Sequence, residues 1–144
     1  MSDTACYGDY YALLKKEIDA YRGQVPPYVY YLPALFKALC GTLDEKDLKP
    51  EERRQVLAAL GYLVAPNDVV PEEIYGPAGY ADDVLVCATV LERLVKTHGL
   101  ECVEPYWEKD TDPLEEFLAA AIEETKKDLG EKEGQVMEFT GLGD

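Results

Sequence analysis

Prolines and glycines divide this chain into segments whose apolar residues return every three or four positions, the spacing of one face of an α-helix. Tyr7, Tyr10, Tyr11, Leu14, Ile18 and Tyr21 follow it before Arg22-Gly23. After Pro26-Pro27, a second stripe joins Tyr28, Leu32, Leu35, Phe36, Leu39, Cys40 and Leu43. Pro33 lies near the start of that stripe and predicts a kink or a late helix start. Pro50 with Glu51-Glu52 suits a helix N-terminus, and Val56, Leu57, Leu60, Leu63 and Val64 follow as its apolar face until Pro66. A fourth helix is expected from about Asp82 to Thr97, with Val84, Cys87, Ala88, Leu91, Leu94 and Val95 as its stripe. A fifth opens at Asp112-Pro113-Leu114-Glu115, which fits a capping box, buries Leu114, Phe117, Leu118, Ala121, Ile122 and Leu129, and ends at Gly130. No strand pattern of useful length competes. The expected fold is an all-α bundle of four or five helices, with an ordered Pro/Gly-rich loop between helices three and four. Residues 1–130 read as one domain, and 131–144 as a flexible acidic tail containing glycines.

Charge and length narrow the partners. The 144 residues carry a net charge of −15, which argues against nucleic acid as a ligand, because phosphate neutralisation needs clustered Lys and Arg. Attachment to an anionic membrane is unfavourable for the same reason. The longest nearly apolar run, Val56 to Pro66, is about 11 residues, whereas a spanning helix needs ~20. The N-terminus lacks the basic and apolar regions of a secretory signal. Cysteines at 6, 40, 87 and 102 form no CxxC pair, and His98 is the single histidine, so no zinc-ligand spacing is present. These features predict a soluble cytoplasmic protein with free thiols. The charge is uneven: residues 101–144 are net −10 and residues 1–100 net −5. The acidic C-terminal third is either a solvated surface or a docking surface for a basic partner.

The most informative stretch runs from Leu60 to Ala88. It places Tyr62, Pro66, Asp68 and Pro71 in a Tyr-x-x-x-Pro-x-Asp-x-x-Pro segment, then Gly79, Asp82 and Asp83 as Gly-x-x-Asp-Asp at the start of the next helix. These spacings closely resemble the domain-of-unknown-function family typified by the bacterial protein YkvA. A core of about 28–96 is compatible with that family's helical layout. The resemblance implies a helical hairpin joined by a structured Pro-Asp loop, and it implies no particular activity. Many members look membrane-associated. Glu72-Glu73 in the loop and the short apolar run depart from that pattern here.

The three Asp residues admit two readings. In the structural one, Asp82 caps the fourth helix, Asp83 sits in its first turn, and Asp68 anchors the loop by accepting N–H bonds. In the alternative, Asp68, Asp82 and Asp83, with Glu72 or Glu73, converge on a hard divalent cation such as Mg²⁺ or Ca²⁺. Tyr62 and Tyr80 are expected to pack beside the loop, each hydroxyl finding a loop carbonyl. His98 falls at the C-terminal end of the fourth helix, where a cation suits the dipole. No nucleotide-binding, P-loop or nucleophile-elbow pattern is present, so neither a cofactor nor a catalytic residue is assigned. Seven of eleven tyrosines fall within the first 31 residues. That is more than one buried stripe accommodates, so Tyr30 or Tyr31 is expected outside, and Tyr7 or Tyr11 at the stripe's edge. The expected function is a module acting through a protein partner or self-association.

Overall fold

Pro33 decides where the second helix begins. Proline has no N–H to donate, so a helix accepts it in the first turn and not further in. The chain accordingly makes a 3-10 turn over Pro27–Tyr31, and α2 starts late, at Leu32, and runs to Thr42. The computed structural model describes residues 3–20, 27–64, 80–107 and 113–142. Before α2 comes α1 (Asp3–Asp19); after it come α3 (Pro50–Val64), α4 (Ala81–His98), α5 (Leu114–Leu129) and α6 (Lys132–Thr140). Short 3-10 turns at Leu100–Cys102 and Glu104–Tyr106 connect α4 to α5. No strand occurs among the described residues, and the fold is all-α.

Helix α4 is the axis of the bundle. It packs most broadly on α5, while α2, α3 and α6 close around it. Every residue from Ala81 to Leu91 is buried. The expected stripe is there, but Leu85, Val86 and Val90 on the other faces are enclosed as well. A helix apolar on all sides belongs inside a core rather than at its surface. Around it, α1 contributes Leu14 and Ile18 to the core and turns Leu13 outward. Tyr28 is buried, Tyr11 and Tyr31 are partly buried, and Tyr30 is exposed, as the tyrosine surplus requires. The side chain of Tyr7 and the whole of Tyr21 lie outside the described residues.

Side chains fasten the connections. The Arg53 guanidinium donates to the carbonyls of Leu43 and Glu45, at 2.8 and 2.9 Å, and so holds the α2–α3 link. Glu52 Oε1 accepts the Lys49 N–H at 2.8 Å, half of a capping box at the start of α3. At α5 the residue ahead of the helix is Pro113, which gives no side-chain cap; the expected cap, Asp112, lies outside the described residues.

The C-terminal segment differs from expectation. Residues 131–144 read as a flexible tail, but α6 occupies Lys132–Thr140 and packs on α3, α4 and α5. It adds one helix to the four or five expected. Its apolar residues, Val136, Met137 and Phe139, fall within four positions and define no period, and docking supplies the rest. Val136 and Leu142 are buried. Gly141, at φ +77°, ends the helix in the left-handed region. The Arg93 guanidinium then donates to the Leu142 carbonyl at 2.7 Å.

Candidate functional site

The family-like motif straddles the end of α3 and the start of α4. Tyr62 sits in the last turn of α3 and points inward, 4% exposed, while Asp82 and Asp83 occupy the first turn of α4 at 0% and 1%. The Tyr62 hydroxyl donates to Asp82 Oδ2 at 2.5 Å, and Asp82 Oδ1 accepts the Asp83 N–H at 2.9 Å. One carboxylate thus joins two helices and takes up a first-turn N–H of its own helix.

This arrangement corrects one expectation in detail. Asp82 is not the residue ahead of the helix; Tyr80 is, with no side-chain cap, and α4 begins at Ala81. Asp82 still accepts a first-turn amide, from inside the turn. Tyr62 and Asp82, singled out separately in the sequence, are brought together, the Tyr62 hydroxyl meeting a carboxylate in place of the expected loop carbonyl. Pro66, Asp68, Pro71 and Gly79, with Glu72 and Glu73, lie outside the described residues. Among the described residues, no group of three or more His, Cys, Asp and Glu side chains is placed to hold a metal ion.

Cys87 lies one turn further along α4, fully buried. Burial, then the neighbouring Asp83 and Asp82 carboxylates, and then Cys40, push its thiol well above the ordinary value. Burial and Asp44 likewise raise Cys40, to about 11. Reactive cysteines need the opposite surroundings, so neither has the character of a nucleophile. Cys40, Cys87 and Cys102 are free thiols.

His98 ends α4, and its partner was not legible in the sequence. Its Nε2 lies 2.9 and 3.0 Å from the two oxygens of Glu52. Glu52 therefore caps α3 and ties it to the end of α4. Burial opposes ionisation of Glu52, but the Lys49 N–H, the hydrogen bond to His98 and the nearby charges outweigh it and lower the carboxyl below its usual value. The Glu51-Glu52 signal at the helix start was the available hint; the link to His98 spans 46 positions.

A third cluster was also missed. Tyr31 tilts against Phe117 at 4.2 Å between ring centroids, and Trp107 lies 5.4 Å from Phe117 and 6.3 Å from Tyr31, parallel to the latter within 6°. The three rings belong to separate segments, and the only hint was the single Trp in a linker.

The site is thus the inner joint of an all-α module: an α3–α4 hairpin fastened by a buried Tyr–Asp bond. Residues 53–89, covering most of α3 and the first half of α4, match the family described as "Protein of unknown function (DUF1232)". The uncharacterised protein ORF9 of Methanothermobacter thermautotrophicus is 36% identical over 135 residues, covering 94% of this chain and 92% of that protein. The chain belongs to this domain-of-unknown-function family. No solved structure matches it. No helix among the described residues is long and apolar enough to cross a membrane.

Proposed function

We propose that this protein is a non-enzymatic helical module of the cytoplasm that acts through contacts with another protein or with a second copy of itself. The observation that carries this reading is the inward orientation of the motif. Asp82 has one oxygen on the Tyr62 hydroxyl and the other on the Asp83 amide, inside the core. In this reading Tyr62, Pro66, Asp68, Pro71, Gly79, Asp82 and Asp83 form a structural latch, and the YkvA-type spacing is the sequence signature of that latch. Function then belongs to the outer surface, where Tyr30, Leu13 and Leu57 expose 40%, 51% and 56% of their area. Exposed apolar side chains of this size suit a contact surface when they lie together.

Light scattering on a size-exclusion column, over a wide concentration range, tests self-association. Chemical cross-linking in cells, followed by recovery of the chain, tests for a partner. A mass that is monomeric at every concentration, together with no cross-linked partner, overturns the proposal. Calorimetric titration with Mg²⁺, Ca²⁺ and Mn²⁺ addresses the metal reading of Asp68, Asp82 and Asp83. Saturable binding lost in Asp83→Asn would replace the latch by a metal site.

A further inference from the structure

Beside the Pro27–Tyr31 turn, α5 borders a cavity of about 390 Å³. Pro27, Tyr31, Pro113 and Phe117 give it apolar and aromatic walls, and Glu116 and Glu124 lie along one side. Glu116, Glu124 and Asp128 recur at multiples of four along α5, so they share one row of that helix. The Tyr28 hydroxyl donates to Asp128 Oδ2 at 2.5 Å. Among the described residues, no basic side chain pairs with Glu116 or Glu124.

We propose that this acid-rimmed aromatic cavity receives an arginine side chain from a partner protein. The inference rests on the reading of the chain as a protein-contact module and names the chemistry of the partner. Three features select the occupant. The walls include the aromatic rings of Tyr31 and Phe117, and aromatic rings attract a cation within ~6 Å of a ring centroid. Two carboxylates, Glu116 and Glu124, line the cavity, either of which can accept a guanidinium's fork of donors, and a planar, weakly hydrated guanidinium stacks on aromatic rings better than an ammonium does. Finally, residues 101–144 carry net −10, which draws a basic segment toward this end of the chain and speeds encounter at low salt. The volume lies within the ~300–1,000 Å³ of small-molecule pockets, ample for the guanidinium and its stem.

The experiment uses the full chain and two probes: tetra-arginine amide and its uncharged isostere, tetracitrulline amide. Trp107 is the single tryptophan and belongs to the same ring cluster as Tyr31 and Phe117, so its fluorescence reports occupancy; calorimetry supplies the affinity. The arginine peptide is expected to saturate, and the citrulline peptide to bind at least ~10-fold more weakly. The double variant Glu116→Gln/Glu124→Gln should weaken the arginine peptide about 10-fold, near 1.4 kcal/mol for two contacts. Tyr31→Leu should weaken it several-fold with charge unchanged. The control Glu131→Gln/Glu138→Gln removes the same charge from α6 and the residue ahead of it, off the cavity, and should change affinity less than about 2-fold.

Equal binding of the two peptides overturns the proposal, as does equal weakening by the α6 control, which would mean diffuse charge attraction. A folded Tyr31→Leu protein with full affinity also overturns it. The underlying reading fails separately. If the chain associates with itself or a partner and Glu116→Gln/Glu124→Gln leaves that association unchanged, the cavity proposal falls and the module remains.

Discussion

Removing one oxygen atom tests the latch. Tyr62→Phe keeps the ring and its packing and deletes the hydroxyl that donates to Asp82 Oδ2 at 2.5 Å. Hydrogen bonds to carboxylates contribute about 1.5–3 kcal/mol. Tyr62 and Asp82 are 4% and 0% exposed, so water does not readily replace the lost donor, and the cost should fall in the upper half of that range, about 2.5 kcal/mol. At this chain length a kcal/mol corresponds to about 3–4 °C, which gives a lowering of Tm by roughly 8–10 °C. In urea, with a slope of ~2 kcal/mol/M, the midpoint should fall by about 1 M with the slope unchanged. Asp82→Asn, alone and combined with Tyr62→Phe, closes a double-mutant cycle whose coupling should exceed ~1 kcal/mol. Tyr30→Phe, on an exposed tyrosine, is the control and should stay within ~0.5 kcal/mol. A Tyr62→Phe protein as stable as the parent, or a cycle additive within ~0.5 kcal/mol, would refute the view that this carboxylate works as a fastener.

Three further outcomes are expected. Leu142→Ala should destabilise by about 2–4 kcal/mol in a urea melt, because Leu142 is 1% exposed; a loose tail would show no change. Gly41→Ala should cost about 2 kcal/mol or more, since its new Cβ would lie 2.3 Å from Tyr106 Cγ and Cδ1, and Tyr106→Ala in the same chain should recover part of the loss. Glu52 has a lowered folded pKa, so the unfolded chain binds its proton first as pH falls. Its contribution is complete above the ordinary value of 4.5 and disappears as pH drops through the folded value. Glu52→Gln should therefore flatten the acid limb of a stability–pH curve; an unchanged acid limb would show that the His98 contact carries no such linkage.

Local signals carried most of the helix boundaries. Pro50, Gly99 and Gly130 each mark an end found in the fold, because backbone chemistry at a terminus acts over a few residues. What the periodicity missed was long-range. It assigned α4 a single stripe, since Thr89, Asp82 and Asp83 interrupt the apolar pattern, whereas enclosure on every side depends on the other helices. It passed over α6, where three apolar residues within four positions are too few to define a period and burial of Leu142 beyond the helix secures the dock. The Glu52–His98 pair and the Tyr31–Phe117–Trp107 cluster likewise join residues distant in the chain, and no local spacing encodes them. At the motif, the spacing marked Tyr62 and Asp82, but only the fold turns both toward one point.

The enclosure of α4 also explains why acids stand at its start. The first amides of a helix lack partners within it, and at a surface water satisfies them. Helix α4 is buried from Ala81 through Leu91, so its N-terminal end needs acceptors from the protein. Asp82 supplies one to the Asp83 amide, and negative groups there also oppose the positive end of the helix dipole. The Tyr62 hydroxyl then meets the remaining Asp82 oxygen and, in doing so, sets α3 against α4. A buried axis, an acid in its first turn and a tyrosine on the preceding helix are thus linked physical requirements. The tyrosine, the acid and the first half of the axis lie within residues 53–89, the part that matches the family. The family segment is in this sense a solution for burying a helix end.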